Sequence, residues 1–238
     1  MDLKQEAARV AYTLIKNDSS IGLGDGATIR WLAGHLAEGI RSGLNICLYT
    51  SSLQTKDFLQ QAGIPVPDIS STDSLDQYFD GCDQLDSQLN ALKSGAGIHT
   101  QEKLLGAMAK QFIILGDDSK FVKKLENKFP LVLEVLPQAT KYVIKKIKTI
   151  FPEVSLSIRT QENTGRPLIT RNGNHLLDCR FPQWPELAIM QNQCKNITGV
   201  VEISLFYNLV TGAIIAGHNG VRRYERIHEQ VSIIQNPF

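Results

Sequence analysis

Four times within the first 120 residues a short apolar run stops at a loop of Gly, Asp, Ser or Thr and gives way to a helical pattern. Ile21-Gly22-Leu23 leads into Gly24-Asp25-Gly26-Ala27-Thr28, and Ile29, Leu32, Ala33, Leu36 and Ile40 follow at helical spacing. The run from Asn45 to Tyr49 ends in Thr50-Ser51-Ser52 before a helical stretch over 53–59 that stops at Gly63. Phe79 closes a third run at Asp80, and Thr100 is the expected N-cap of a helix carrying Leu104, Leu105 and Met108. Phe112-Ile113-Ile114-Leu115 is followed by Gly116-Asp117-Asp118-Ser119-Lys120, which is expected to open one more helix. Ile64 to Ile69 reads as a short edge strand or connection, interrupted by Pro65 and Pro67. One strand–helix pair every ~30 residues is the period of βαβ units, hence of a mostly parallel sheet. Such sheets bind ligands outside the carboxyl ends of their strands, where all of these loops fall.

The pattern changes near Phe129-Pro130. Residues 131–136 read as a strand, and Pro137 introduces a helix with Tyr142, Val143, Ile147 and Ile150 at its apolar positions. Residues 154–159 and 168–181 read as strands, with Arg171-Asn172-Gly173-Asn174 as an Asn-Gly hairpin turn. Pro185 starts a helix through Met190, and residues 200–206 form another strand. That β-α-β-β-α-β order is the ferredoxin-like pattern. The chain then runs through Ala213 to Ala216, a His218-Asn219-Gly220 turn and Val221 to Arg226. The expected fold class is therefore α/β: a Rossmann-like, mostly parallel sheet with helices on both faces, plus a smaller ferredoxin-like α+β lobe.

Composition narrows the function. With 238 residues the chain has room for a real core, and 42% hydrophobic and 21% charged residues are those of a soluble globular protein. A net charge of +1 gives no reason to invoke nucleic acid or an anionic membrane. Lys141, Lys145, Lys146 and Lys148 lack interleaved aromatics and read as a solvated helix face. No apolar run approaches the ~20 residues of a membrane span. The N-terminal stretch mixes charge with apolar residues at helical spacing, unlike a signal peptide. Cys47, Cys82, Cys179 and Cys194 are scattered without a C-x-x-C pair, as expected of reduced thiols in a cytoplasmic protein.

Chemistry concentrates between Asp80 and Lys103. Asp80 and Asp83 lie just past a strand end, Lys93-Ser94-Gly95-Ala96-Gly97 sets a cation beside backbone that a ligand can approach, and Glu102 falls in the first turn of a helix. There the macrodipole favours its ionised form. Two acids, a cation and an ionised base on converging loops resemble proton-transfer machinery. Taken singly, each residue reads as ordinary turn chemistry or a solvated charge. The earlier loop, Gly24 to Thr28, joins a strand to a helix N-terminus and so makes an anion site. It is not a dinucleotide fingerprint: the third glycine comes one residue early, and the next strand ends in Thr50-Ser51-Ser52 rather than an acid.

In order and spacing, Asp80-Gly81-Cys82-Asp83-Gln84, Lys93-Ser94-Gly95-Ala96-Gly97 and Thr100-Gln101-Glu102-Lys103 resemble the D-G-A-D-E, K-G-G-G-A and T-R-E-K motifs of the A-type ribose-5-phosphate isomerase family. The likeness extends over most of the chain. It implies a catalytic domain of residues 1–128 and 207–238, a small α+β domain of residues 129–206, and a segment from about His228 to Phe238 beyond the usual family end. The implied activity interconverts ribose 5-phosphate and ribulose 5-phosphate through an enediolate, in the cytoplasm, without a metal or organic cofactor, in a homodimer or homotetramer. Glu102 would be the base. Lys93, with the Gly95 and Gly97 amides, would hold the oxyanion, and Asp80 and Asp83 would open the sugar ring. Lys4, Gly24, Asp25, Gly26, Ala27, Thr28, Gly81, Ser94, Ala96 and Lys120 would bind substrate, while His99 is a neighbour rather than a catalyst. Ser51 and Ser52 would either touch substrate or cap the following helix.

Several positions depart from the family pattern. Asp25 and Ala27 replace threonine and serine in the phosphate loop, Gln84 replaces glutamate, Ser94 and Ala96 replace glycines, and Val132 replaces a proline. A carboxylate about 5–6 Å from a phosphate would repel it by roughly 3 kcal/mol per unit charge at an effective dielectric near 20. Asp25 therefore either faces the phosphate at that cost or turns aside to accept backbone N–H bonds. A methyl at Ala96 would be strained if that position needs positive φ. These departures leave two readings: a working isomerase, or a non-catalytic or altered-specificity sugar-phosphate-binding protein on the same fold.

Overall fold

The computed structural model describes residues 2–227 and 230–234. In chain order the first half comprises α1 (Leu3–Tyr12), β1 (Ser19–Leu23), α2 (Ala27–Arg41), β2 (Ile46–Thr50), α3 (Leu53–Gln61), β3 (Leu75–Asp80), β4 (Gln84–Asp86), β5 (Ala91–Leu92), α4 (His99–Met108), β6 (Ala109–Asp117) and β7 (Phe121–Val122). The second half comprises β8 (Leu131–Val135), α5 (Thr140–Ile150), β9 (Ser155–Ile158), β10 (His175–Arg180), α6 (Leu187–Lys195), β11 (Val200–Ile203), β12 (Leu205–Phe206), β13 (Gly212–Gly217), β14 (Gly220–Ile227) and β15 (Gln230–Ile234).

Seven strands form the main sheet in the order β15-β14-β13-β6-β3-β1-β2. The five from β13 to β2 are parallel, and the last two strands of the chain add an antiparallel edge. Along the central strands residues alternate between two cores, as period-2 geometry requires. Ile113 and Leu115 of β6, with Ile214 and Ala216 of β13, face a core built with α1, α2 and α3. Phe112, Ile114, Ala213 and Ile215 face the opposite way, onto Leu105 of α4 and Phe206 of β12. The helices are thus unevenly shared. Three cover one face, while α4 shares the other with a four-stranded mixed sheet, β12-β5-β4-β7, whose two- and three-residue strands carry too few residues to show a sequence period.

A third sheet, β11-β8-β10-β9, is antiparallel throughout and has the ferredoxin-like order. Its core is closed by α5 and α6. The lysines of α5 lie on its exposed side, and Tyr142, expected inward, is also exposed.

Some sequence expectations are corrected. Residues 64–68 are not a strand, as the two prolines would have it, and only a 3-10 turn at Ile69–Ser71 follows. Asp118–Lys120 is a single 3-10 turn closed by the Asp117 side chain, and the chain passes straight into β7 rather than into a helix. Before β10, residues 168–174 make only isolated bridges around the expected turn, and α6 begins at Leu187 instead of Pro185. The stretch over 200–206 splits at Ser204 into strands of two different sheets; the Ser204 hydroxyl accepts the Val132 amide at 2.9 Å. The predicted tail contains β15, while residues 228, 229 and 235–238 lie outside the described residues.

Phe112 links two sheets, its ring 4.9 Å from that of Tyr78 and 5.9 Å from that of Phe206. Because it is fully buried, Phe112→Ala is expected to destabilise the protein by about 3–5 kcal/mol. Urea denaturation followed by circular dichroism measures this, and a loss below about 1 kcal/mol would mean that the two sheets do not depend on this contact.

Candidate active site

The order of the parallel strands reverses between β1 and β3, so their carboxyl ends leave a crevice. Gly24 follows β1, and any side chain there would collide with the Asp80 carboxylate. That contact explains why Gly24 is a glycine. Gly26 has φ +103° and precedes the first turn of α2, which has no side-chain cap. Its orphan N–H groups and dipole are therefore available to an anion.

Asp80, at the end of β3, is fully buried and completely engaged. One oxygen accepts from the Tyr78 hydroxyl at 2.6 Å and lies 2.9 Å from the Lys93 ammonium. The other accepts from the Gly81 amide at 2.7 Å and the Asp25 amide at 3.2 Å. Lys93 also donates to the Gly81 carbonyl at 2.5 Å and stands 3.3 Å from the Glu102 carboxylate. Burial works against the Lys93 ammonium, but Asp80 and Glu102 together outweigh it and hold its pKa above the usual lysine value. Glu102 is only 4% exposed. Its pKa is raised to about 8: burial is the largest cause, Lys93 pulls against it, and the Asp80 and Asp25 charges add to the rise. The ionised state expected from the helix position alone is thus overridden by desolvation.

The helix begins two residues earlier than expected, at His99, with Ile98 at the N-cap position and no side-chain cap. Thr100 does not cap it; its hydroxyl donates instead to Glu134. His99 is fully buried, with its Nε2 3.4 Å from the Glu202 carbonyl oxygen, and desolvation drives its pKa down to about 4.

A cavity of about 260 Å³ opens in this crevice. Of the sequence candidates, Lys4, Asp25, Gly26, Ala27, Thr28, Gly81, Asp83, Lys93, Gly95, Ala96, Glu102 and Lys120 line it. Asp80, Gly24, Ser51, Ser52, Ser94 and Gly97 do not. Ser52 caps α3, accepting the Thr55 amide, and donates to Asp25 at 2.6 Å. The Asp25 carboxylate is therefore turned to a side-chain hydroxyl, an arrangement that neither expectation named. Ser51 meets the Tyr78 hydroxyl at 3.4 Å. Ser94 points away from the cavity, donating to the Pro130 carbonyl at 2.5 Å. The Gly95 amide is not free to hold an oxyanion either, since with the Ser94 amide it donates to Asp83. Ala96 is not among the described residues with positive φ, so its methyl carries no such strain.

Cys82, Leu115, Gly116 and Asp117 also line the cavity, although their sequence positions signalled only a strand end or a motif neighbour. Burial drives the Cys82 thiol up to about 12. Arg159 carried no signal at all. From the ferredoxin-like sheet it donates to the Gly95 carbonyl at 2.8 Å and the Ser94 carbonyl at 2.9 Å, and it is paired with Asp178 at 2.7 Å. The loop over 94–97 is thereby fastened to the ferredoxin-like sheet.

Fold and site together define an α/β protein with a buried lysine–carboxylate cluster and an uncapped helix N-terminus at a sheet switch point. The family model of ribose 5-phosphate isomerase A (phosphoriboisomerase A) matches residues 47–220. The ribose-5-phosphate isomerase A of Bacillus mycoides (strain KBAB4) is 34% identical over 229 residues, 94% of this chain and 100% of the relative. The structure of ribose 5-phosphate isomerase A from Methanocaldococcus jannaschii superposes with a TM-score of 0.86 at 33% identity, covering 94% of this chain and 98% of that one. A D-ribose-5-phosphate isomerase in complex with phospho-erythronic acid superposes with a TM-score of 0.88 at 32% identity, with the same coverage. The chain belongs to the ribose-5-phosphate isomerase A family.

The elevated Glu102 pKa has a consequence for stability. The folded state holds this proton more tightly than the unfolded chain, whose value is 4.5. The group's contribution is therefore fully present below about pH 4.5 and lost as the pH rises through about 8. Relative to wild type, Glu102→Gln is expected to gain at least about 1 kcal/mol in urea-denaturation stability between pH 5 and pH 9. A pH-independent difference would place the carboxyl in an ordinary environment.

Proposed function

We propose that this cavity interconverts ribose 5-phosphate and ribulose 5-phosphate by carrying a proton between C1 and C2, with Glu102 as the base. The observation that carries this reading is the Glu102 carboxylate 3.3 Å from the Lys93 ammonium in a cavity of about 260 Å³. Family membership makes the chain an aldose–ketose isomerase of the pentose phosphate pathway. The open-chain aldose gives its C2 proton to Glu102 as negative charge grows on the C1 oxygen. The resulting enediolate takes the proton back at C1 while the C2 hydroxyl proton passes to the C1 oxygen, leaving the ketone at C2 and a hydroxyl at C1. Lys93 stabilises the developing oxyanion, exchanging its Glu102 contact for the substrate oxygen. With the Gly95 amide committed to Asp83, that task falls to Lys93.

Asp80 is assigned to holding Lys93 and the phosphate loop rather than to proton transfer, since it has no face on the cavity. Ring opening falls to Asp83, which lines it. Lys4, Lys120, Thr28 and the α2 N-terminus are assigned to the phosphate, with Asp25 on the same wall and hydrogen-bonded to Ser52. The phospho-erythronic acid of the related complex is an anionic, phosphorylated polyol of the size this arrangement suits. The unpaired cysteines support a cytoplasmic setting, and a homodimer or homotetramer belongs to the same proposal.

Glu102→Gln is expected to lower turnover of ribose 5-phosphate by at least about a hundredfold. In wild type, kcat/KM should rise with pH through about 8, as the Glu102 carboxyl loses its proton. A coupled assay for the ketose reads both; equal rates for the two proteins would remove Glu102 from the mechanism, and no turnover by either would leave the sugar-phosphate-binding reading.

A further inference from the structure

Glu134, on β8, is fully buried, yet the four side chains that hydrogen-bond to it are all neutral. Thr100 donates to one carboxylate oxygen. The other accepts from the Thr170 hydroxyl at 2.8 Å, the Asn172 amide at 2.9 Å and the Asn174 amide at 2.8 Å. A buried carboxylate without such donors would take up a proton. Burial does work in that direction here, but the four donors together hold the Glu134 pKa below its ordinary value.

What these donors are attached to gives the carboxylate its meaning. Thr100 lies in the first turn of α4, two residues before Glu102, and that helix start has no side-chain cap of its own. Asn172 accepts from Gln101 at 2.6 Å, and the neighbouring Arg171 donates to the Ser51 carbonyl at 3.2 Å. Lys103 reaches Glu202 at 2.9 Å. Both residues before Glu102 and the one after it are thus fastened to the ferredoxin-like sheet and its hairpin, while Glu102 lines the cavity. We propose that Glu134 is a positioning residue for the isomerisation: by gathering Thr100 and the 170–174 hairpin on one carboxylate, it fixes the first turn of α4 and holds Glu102 against Lys93. This inference rests on the assignment of Glu102 as the base.

The role calls for a carboxylate. A glutamine offers one carbonyl oxygen in place of two acceptors, and its own N–H groups would confront a donor. A displacement of about 1 Å in a catalytic group can cost on the order of a hundredfold in rate. Glu134→Gln is therefore expected to lower kcat for ribose 5-phosphate by about 10- to 100-fold while KM stays within about threefold, because the phosphate loop and Lys120 are untouched. Thr100→Val, which severs only the tie to α4, should lower kcat in the same sense. The double variant should be no worse than Glu134→Gln alone, because both act through one contact. Thr100→Val keeps the test decisive if Glu134→Gln fails to fold. Wild-type kcat in either variant, whatever its melting temperature, would overturn the proposal, as would a loss confined to KM. Glu102→Gln run alongside separates the two claims. If it is inactive while the other variants keep kcat, only the positioning role is lost; if it is active, the base assignment falls and the positioning role with it.

Discussion

One ammonium group shared between two buried carboxylates governs this site. Lys93 can neutralise only one of them, and the geometry decides which. Asp80 lies 2.9 Å away and accepts three further hydrogen bonds, so its charge is fully supported. Glu102 lies 3.3 Å away, and Lys93 is the one partner described for its carboxylate. Removing an ion from water costs several kcal/mol, which only close pairing and full hydrogen bonding recover. Glu102 is the carboxylate left short, and so the one that binds a proton near neutrality. A base that gains and loses a proton at little cost is what transfer between adjacent carbons requires.

The scaffold delivers that imbalance from three directions. The reversal of strand order between β1 and β3 brings Asp80 against the phosphate loop, closely enough that Gly24 has no room for a side chain. The short mixed sheet carries Lys93 back over the strand ends, where its amide donates to the Ser204 carbonyl at 3.0 Å. The ferredoxin-like sheet supplies Arg159 to the loop over 94–97 and Glu134 to α4. The cavity is therefore a joint product of all three sheets, and the hydrogen bonds between them do more than join layers.

Much of this was legible in the sequence because local rules carried it. The βαβ period gave the parallel sheet, and the Asp80-to-Lys103 motifs placed Lys93 and Glu102 together. Long-range contacts were hidden. Thr100 reads as a cap because Thr before an apolar run commonly is one, but Glu134, 34 residues on, takes its hydroxyl. The ionised state inferred for Glu102 followed from helix position, whereas burial, which sequence does not display, reverses it. Strands β4, β5, β7 and β12 are too short to show a period, and Phe121, Val122 and Leu125 follow Gly116 to Lys120 at a spacing a helix would also show, which hid the turn. Arg159 sits in a stretch with no motif at all, and only the tertiary fold gives it a purpose.

The central claim is that burial beside an already committed ammonium keeps the Glu102 carboxyl largely protonated at neutral pH. Its most direct test is a carbon-13 NMR titration of the glutamate side-chain carboxyls in the free protein, with Glu102→Gln identifying the Glu102 signal. The account predicts a midpoint near pH 8 for that signal. A midpoint near the ordinary 4.5 would contradict it.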